Sequence, residues 1–222
     1  MSSGNFKHDL FNQFARIGKA LSNGNRLELL EFLAQGERRV DELAGISGLS
    51  VANTSQHLQL LRQSGLVSSR KQGLKVYYKI SNNDVIGLLN KLRSVAEREL
   101  AEVNHLVNTY LTVKDKLEPM TRKELVERVT HGLVTVIDVR PGEEFNAGHV
   151  PGAINIPLSE IHKHLDKLDS GLEIVAYCRG PHCLLAFDAV AELRRRGLIA
   201  RRLEDGFPEW KQAGLPIESI DS

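Results

Sequence analysis

The stretch LEIVAYCRGPHCLLAF, residues 172–187, decides how the second half of the chain folds. An apolar run typical of a buried strand leads directly into Cys178, and a run with helical character starts at Leu184. A turn that links a strand to a helix N-terminus points backbone N–H groups at a sulfur, and this favours the thiolate over the thiol. The sequence therefore predicts a nucleophilic cysteine at position 178.

Cys178 and Cys183 are the two cysteines of this 222-residue chain. Such a close pair, outside any secreted disulfide scaffold, is typical of redox, metal-binding or catalytic sites. The segment from Met1 to Asn5 lacks the pattern of a signal peptide, and no apolar run approaches the length of a membrane span. We therefore expect a cytoplasmic protein with two domains of ordinary size.

Strand-like and helix-like segments alternate throughout the second half of the chain. This alternation predicts an α/β domain with a parallel sheet that is covered on both faces. Reactive groups in such sheets lie beyond the carboxyl ends of the strands, and Cys178 occupies that position. The predicted strands cover 133–138, 153–157, 172–177 and 200–203, and the predicted helices cover 121–130, 158–168, 184–196 and 207–213.

The first half of the chain is predicted to be mainly helical with one β-hairpin. Apolar residues repeat at helical spacing from Leu10 to Leu21, and Gly36 and Gly65 are placed to end later helices. Further helices are predicted at 27–35, 40–46 and 51–64, and two strands at 66–71 and 74–79 enclose the turn Gln72-Gly73.

The helix at 51–64 has the surface expected of a DNA-recognition helix, with short polar side chains near its N-terminus. No acidic residue occurs between Glu42 and Asp84, whereas several basic residues do, which suits binding to the phosphates of DNA. The hairpin has a basic tip and resembles a wing that lies on the DNA backbone. The predicted DNA-binding residues are Ser50, Asn53, Ser55, Gln56, His57, Gln59, Arg62, Arg70, Lys71 and Lys75.

Segments spread over residues 15–80 form a recognisable set: Asn25-Arg26-Leu27, Leu49-Ser50, Ser55-Gln56-His57-Leu58, Leu61-Arg62-Gln63-Ser64-Gly65-Leu66-Val67 and Gly73-Leu74-Lys75-Val76-Tyr77-Tyr78. With these segments, residues 15–80 resemble the winged helix-turn-helix of ArsR/SmtB-type bacterial repressors. The resemblance implies a homodimer that binds double-stranded operator DNA as a repressor and is released by an inducer.

The chain departs from metal-sensing members of that family. The segment 40–44 has no thiol, and His105 stands without the partners of a metal site, so we interpret it as a surface or interface histidine. An apolar stripe from Asp84 to Leu111 predicts one long helix that needs a partner, which independently favours a homodimer.

Segments of the second half form another recognisable set, in this order: Ile137-Asp138-Val139-Arg140, Glu144-Phe145, Gly148-His149-Val150-Pro151-Gly152-Ala153-Ile154-Asn155-Ile156-Pro157, Tyr177-Cys178 and Gly206-Phe207-Pro208-Glu209-Trp210. With these segments, residues 118–218 resemble a rhodanese domain, the fold of a family of sulfurtransferases. The resemblance implies that Cys178 carries a persulfide sulfur taken from a small donor such as thiosulfate, a persulfide or a polysulfide.

Several residues around the cysteine are expected to shape the site. We expect Arg179 to favour the thiolate or to attract an anionic donor, and Pro181 to stiffen the loop and remove one N–H donor. Leu184 stands where phosphatase-like relatives have an arginine, so phosphate or arsenate chemistry is not expected. The predicted active-site loop contains Arg179, Gly180, Pro181, His182 and Leu184 around catalytic Cys178, and the predicted loop-organising ion-pair residues are Asp138, Arg140 and Glu144.

Cys183 leaves two interpretations open. It is either a resolving thiol that attacks a persulfide on Cys178, giving a disulfide or a sulfur-bridged link, or a buried packing residue. It also replaces a cationic residue that related thiosulfate enzymes use for the sulfonate group, which argues against efficient thiosulfate turnover. A third alternative has both sulfurs holding arsenite or a soft metal, with His182 as a further ligand.

These observations predict a regulator with a winged-helix domain at 1–116 and a rhodanese-like domain at 117–222. Reactive sulfur at Cys178 would control its affinity for DNA. One alternative is a sulfurtransferase that uses the helical half for dimerisation or recruitment, and another is a regulator that responds to arsenite or a soft metal. We expect no cofactor, no resident metal and no membrane partner.

Overall fold

A computed structural model describes residues 3–112, 118–165, 168 and 171–220. The chain forms two compact units, Met1–Leu89 and Asn90–Ser222. The predicted domain boundary between residues 116 and 117 lies outside the described residues.

The first unit has the predicted helices and hairpin. Strand β3 (Lys75–Ile80) pairs antiparallel with β1 (Arg38–Arg39) and with β2 (Val67–Gln72), in the order β1-β3-β2. The short strand β1 was not predicted, because a two-residue strand has no periodicity. The elements are α1 Ser3–Leu21, α2 Gly24–Gln35, β1 Arg38–Arg39, α3 Val40–Ser47, α4 Val51–Gln63, β2 Val67–Gln72 and β3 Lys75–Ile80.

Local signals in the sequence start and stop these elements. The Asn23 side chain accepts the Arg26 backbone N–H at 3.2 Å and caps α2, and Ser50 Oγ does the same for α4. Gly73 turns the hairpin with a φ of 58°, which a residue with a Cβ adopts only with strain. Leu58 and other apolar residues of these helices form the core of the unit.

The predicted helix from Asp84 to Leu111 is broken, so that prediction was wrong. Helix α5 covers Asn83–Glu99, helix α6 covers Ala101–Val107, and a π-helical turn follows at Asn108–Thr112. Leu100 has extended backbone angles (φ −109°, ψ 108°), and the Asn104 side chain donates to the Glu97 carbonyl at 2.8 Å. That side chain satisfies a carbonyl that a continued helix would have bonded, so it stabilises the break.

The second unit contains the predicted parallel sheet, which confirms the expected fold class. All neighbouring strands are parallel, and their order is β5 (Ile154–Asn155), β4 (Val134–Asp138), β6 (Glu173–Tyr177) and β7 (Ala200–Arg202). Helix α8 was not predicted, because its six residues are too few to show helical spacing. The elements are α7 Arg122–Thr130, β4 Val134–Asp138, α8 Gly142–Ala147, β5 Ile154–Asn155, α9 Ile161–His164, β6 Glu173–Tyr177, α10 Leu184–Arg195, β7 Ala200–Arg202 and α11 Phe207–Gln212.

Both faces of this sheet are covered by apolar side chains. Successive residues of β6 point to opposite faces, so Ala176 packs in one core with Val190 of α10. Tyr177 packs in the other core with Leu125 of α7 and Trp210 of α11. Cys178 directly follows β6, so it lies at the carboxyl end of a strand in a sheet whose two faces are covered.

Each helix in the described part of the chain is too short or too polar to cross a lipid bilayer.

Replacing Leu125 with alanine should destabilise the second unit, because this side chain is fully buried. We expect the free energy of unfolding to fall by about 2–5 kcal/mol, the usual cost of a cavity of this size. Urea denaturation followed by the fluorescence of Trp210, the single tryptophan of the chain, measures it. The matched control Val126→Ala, at a position 40% exposed, should cost less than about 1 kcal/mol, and equal losses would contradict the assignment.

Candidate functional site

The candidate site is the loop Cys178–Cys183 between strand β6 and helix α10. The strand ends at Tyr177, and Cys183 is the N-cap residue of the helix. Inside the loop, the Cys183 backbone N–H donates to the Gly180 carbonyl at 3.1 Å, which closes a tight turn. The predicted position of the cysteine at the carboxyl end of a parallel strand is therefore the observed one.

The structure joins the sulfurs of Cys178 and Cys183 in a disulfide. Their Cα atoms are 6.1 Å apart, which is within the range that a disulfide can bridge. Cys178 is 1% exposed and packs in the apolar core beneath the loop. The loop thus brings the two sequence-predicted thiols together in oxidised form, and a thiolate at Cys178 remains a prediction for the reduced form.

The start of helix α11 lies directly against this loop. A Cβ at Gly206 would collide with the backbone nitrogen of Gly180 and the carbonyl carbon of Arg179. The Phe207 N–H donates to the Cys178 carbonyl at 3.0 Å. Only glycine permits this approach, so position 206 fixes the distance between the loop and the helix.

Asp138 and Arg140 form an ion pair that is completely buried. Arg140 Nε lies 3.0 and 3.1 Å from the two carboxylate oxygens, and Arg140 Nη2 donates to the Gly148 carbonyl at 2.8 Å. Its guanidinium stacks 4.4 Å from the centre of the Phe207 ring. Burial disfavours the charge on Arg140, but the hydrogen bond and charge of Asp138 outweigh burial and raise its pKa. The pair joins the end of β4 to the start of α11.

Glu144 pairs with Arg179 at the edge of the loop. Arg179 Nη2 lies 2.7 Å from Glu144 Oε1, and Arg179 Nε lies about equally far from both carboxylate oxygens, at 3.1 and 3.0 Å. Glu144 is buried and Arg179 is mostly buried. The negative charge of Glu144 therefore offsets part of any effect that the positive charge of Arg179 has on a Cys178 thiolate or an anionic donor.

His182 contacts a residue far upstream in the sequence. Its Nε2 lies 3.0 Å from Oε1 of Glu97 in helix α5. Burial lowers the pKa of His182, the Glu97 charge opposes that shift, and the charges of Arg93 and Arg202 add to it. Glu97 carries no signal for this role in the sequence, because helical spacing does not relate it to a loop so far along the chain.

Pro181 and His182 border a cavity of about 350 Å³, which Phe187 and Arg202 also line. Within the described residues, no three His, Cys, Asp or Glu side chains meet as a metal-binding cluster. The arsenite or soft-metal alternative thus gains no third ligand from the structure, since His182 pairs with Glu97 instead.

The second candidate surface is the polar face of helix α4. The buried residues of this helix are Thr54, Leu58 and Leu61, and the opposite face points outward. The Ser50 hydroxyl accepts the Asn53 backbone N–H at 3.2 Å, so it acts as a helix cap. The predicted contact residues Gln56, Gln59 and Arg62 are exposed, and Asn53, Ser55 and His57 are half-buried.

The predicted wing residues differ in their surroundings. Lys71 and Lys75 are exposed near the hairpin tip. Arg70 instead pairs with Glu37, with Arg70 Nε 2.9 and 2.8 Å from the two carboxylate oxygens, and its guanidinium lies over the Tyr77 ring. The hydrogen bond with Glu37 raises the pKa of Arg70, so this cation is already engaged within its own unit.

A winged helix-turn-helix followed by an α/β unit with a cysteine loop at a strand end defines a DNA-binding regulator with a rhodanese-like domain. Residues 23–69 match the family model of the bacterial regulatory proteins of the arsR family, and residues 121–213 match that of the rhodanese-like domain. The chain is 45% identical over 212 residues to the HTH-type transcriptional regulator Rv0324 of Mycobacterium tuberculosis, covering 96% of this chain and 93% of that protein. The chain belongs to the ArsR family of transcriptional regulators and carries a C-terminal rhodanese-like domain.

Two solved structures resemble parts of the chain. A homodimeric winged helix-turn-helix DNA-binding domain from Mycobacterium bovis is 42% identical, with 45% of this chain and 91% of that chain covered and a TM-score of 0.42. A rhodanese-related protein from Thermoplasma volcanium is 27% identical, with 47% and 100% covered and a TM-score of 0.42.

Replacing Gly206 with alanine should displace the cysteine loop, because the added Cβ has no room against Gly180. We expect the free energy of unfolding, measured in urea by Trp210 fluorescence, to fall by about 1–3 kcal/mol. The control is Gly142→Ala, whose Cβ would meet the Asn155 side chain at an ordinary 3.5 Å and should change stability little. If the two variants were equally stable, the close approach at Gly206 would not hold the loop.

Proposed function

We propose that this regulator is a homodimeric repressor whose affinity for operator DNA is controlled by reactive sulfur at Cys178. The observation that carries the proposal is the meeting of Cys178 and Cys183 within one loop. When a cysteine that accepts sulfur has a second thiol within bonding distance, the uptake of sulfur can lead to a disulfide between the two. Because the proposed ligand is operator DNA, the proposed place of action is the cytoplasm.

The proposed chemistry has two steps and needs one small sulfane-sulfur donor. The Cys178 thiolate attacks the outer sulfur of a hydropersulfide RS–SH, which forms Cys178–S–SH and releases RS⁻. The Cys183 thiolate then attacks Cys178 Sγ, forms the disulfide and expels HS⁻. Overall the dithiol is oxidised by two electrons, and the sulfane sulfur accepts them as it leaves as hydrosulfide.

Two features favour sensing over transfer of sulfur to an acceptor. Cys178 is almost fully buried, so an acceptor protein has little access to a persulfide there. Cys183 is held in the same loop, and an intramolecular thiol reacts at a far higher effective concentration than a separate acceptor. The persulfide is therefore expected to resolve internally before it can be passed on.

The DNA-binding part of the proposal rests on helix α4 and the hairpin. Helix α4 presents exposed polar side chains on the face opposite Thr54 and Leu58, as a helix in the major groove requires. Lys71 and Lys75 at the hairpin tip are free to approach the phosphates of the DNA backbone.

The homodimer part of the proposal is supported by the apolar surface of helix α1. Phe6, Phe11 and Phe14 are all more than half exposed, although aromatic side chains of this size normally bury their surface. A second copy would cover them, and a two-fold dimer would present two recognition helices to successive major grooves.

Polysulfide should lower the affinity of the wild-type protein for its operator, and Cys178→Ser should abolish the response. We expect a change of at least about fivefold in the dissociation constant, the lower end of typical coupling between two ligands. Gel retardation or fluorescence anisotropy with a fragment from the promoter of its own gene measures it, before and after treatment.

The variant Cys183→Ser separates the two steps. It should accumulate the persulfide on Cys178, seen as one added sulfur atom by mass spectrometry, without forming the disulfide. An unchanged response in Cys178→Ser would overturn the proposal. Rapid turnover of thiosulfate with no retardation of DNA would favour the sulfurtransferase instead.

Replacing both Lys71 and Lys75 with glutamine should weaken DNA binding, because fewer phosphates are neutralised. The salt dependence of the affinity should decrease for the same reason. The slope of log affinity against log salt should decrease in magnitude by about 0.9 for each phosphate that the variant no longer neutralises. Affinities measured at several salt concentrations give the slope. The control Lys211→Gln removes an exposed charge from helix α11 and should leave the slope unchanged, and equal slopes in all three proteins would exclude the hairpin tip from the interface.

A further inference from the structure

Two residues of helix α5, Arg93 and Glu97, connect to the cysteine loop. They are four positions apart, so they lie on the same face of the helix. Both belong to the unit Asn90–Ser222, as does the loop. Neither lies within residues 121–213, the part of the chain that matches the rhodanese-like domain.

The first connection runs directly to the loop. Glu97 Oε1 lies 3.0 Å from His182 Nε2, and His182 immediately precedes Cys183. Each of the two side chains is about one third exposed. A shift of the loop between Cys178 and Cys183 therefore moves the ring to which Glu97 is bound.

The second connection runs through the start of helix α11. Arg93 Nη1 lies 3.2 Å from Oε1 of Glu209, and the other carboxylate oxygen of Glu209 accepts the Gly206 N–H at 3.0 Å. Gly206 is the residue whose backbone presses against Gly180 of the loop. Gly206 is therefore a clamp on the loop, and Glu209 bonds at the same time to this clamp and to Arg93 of helix α5.

A neighbouring pair strengthens the second connection. The Asn90 side chain donates to Gln212 Oε1 at 2.9 Å, and its own oxygen accepts from Arg93 at 3.3 Å. Arg93 also lies near the loop backbone, since its Nη2 would be 3.8 Å from a Cβ at Gly180. Asn90, Arg93 and Glu97 lie on successive turns of helix α5, and each of them bonds to helix α11 or to the loop.

We propose that Arg93 and Glu97 are positioning residues through which helix α5 responds to the opening and closing of the Cys178–Cys183 disulfide. The inference rests on the proposed function and names the element that carries its signal. Helix α5 is continuous from Asn83, and its Val85 packs in the hydrophobic core of the first unit. A displacement of the residues that bond to the loop is therefore carried along one continuous helix, Asn83–Glu99.

Reciprocity gives the proposal a second consequence, in the chemistry of the loop. If the bonds from Arg93 and Glu97 differ between the dithiol and disulfide forms, they must also shift the equilibrium between those forms. Removing either bond then changes the equilibrium constant for reduction of the disulfide. A residue that merely stabilises helix α5 would leave that constant unchanged, because it contributes equally to both forms.

The test compares Glu97→Gln and Arg93→Gln with matched controls on the same helix. Glu99→Gln and Arg98→Gln remove the same charges from an exposed pair that bonds to its own neighbour. Arg93→Lys keeps the charge that faces Glu209 and serves as the conservative variant. All experiments use the full chain, with sodium polysulfide as the sulfur donor and the promoter fragment as DNA.

Three quantities are measured on each variant. Mass spectrometry records sulfur modification of residues 178–183, anisotropy records the ratio of DNA affinities before and after polysulfide, and glutathione redox buffers give the dithiol–disulfide equilibrium constant. We expect Glu97→Gln and Arg93→Gln to show the same sulfur modification as the wild type. In both variants the ratio of DNA affinities before and after polysulfide should fall by at least about fivefold, and the equilibrium constant should shift severalfold. Both controls should match the wild type, and Arg93→Lys should retain most of the response.

The two proposals fail in different ways. If Glu97→Gln and Arg93→Gln kept the wild-type affinity ratio and equilibrium constant, the role of helix α5 would be overturned while sulfur sensing stood. If polysulfide left the wild-type affinity unchanged, the proposed function would fall. The equilibrium constants would then still decide the inference, since values equal to those of the controls would show that helix α5 does not respond to the loop.

Discussion

The buried ion pair between Asp138 and Arg140 is the constraint on which the second unit depends. Two fully buried charges are tolerated only because they meet each other with good geometry, and removing one partner typically costs about 3–5 kcal/mol. Arg140 also bonds to the Gly148 carbonyl and stacks on the Phe207 ring. Since Phe207 begins helix α11, the same pair fixes Gly206 against the cysteine loop. The buried charges at the end of β4 thereby help to set the geometry of the cysteine loop at the end of β6, the strand that pairs with β4.

The cysteine loop combines a buried Cys178 with a second cysteine within bonding distance. Cys178 is buried, so the proposed sulfur adduct would be shielded from solvent and from foreign acceptors. Cys183 lies within bonding distance, so that adduct would have a fast route to a stable product. An enzyme that passes sulfur onward would lose by both properties, since its acceptor must reach the adduct and must do so before Cys183 reacts. A regulator gains from both, because a lasting product holds the signal until a reductant resets it.

Much of the fold could be predicted because its signals are local. Ser50 caps a helix, Gly73 turns a hairpin, and apolar runs alternate between strand and helix up to Cys178. The break at Leu100 escaped prediction, because the apolar stripe continues across it and the stabilising bond comes from a side chain. The contact of Glu97 with the loop was equally invisible, because only the folded chain brings together residues so far apart in sequence. Patterns along a chain report which face a residue occupies, but they do not report which distant side chain it meets.

The contact between Glu97 and His182 crosses the limit of the segment, residues 121–213, that matches the rhodanese-like domain. A fragment cut at the limits of the rhodanese-like match, residues 121–213, would leave His182 without the carboxylate that it contacts in the intact chain. The excised fragment would keep its sheet, its cysteines and its clamp, yet one side of the loop would face water. Grafting that fragment onto another DNA-binding protein would transfer the two cysteines without the Glu97 contact to their loop. The structural unit that holds the loop is therefore larger than residues 121–213, because it includes Glu97.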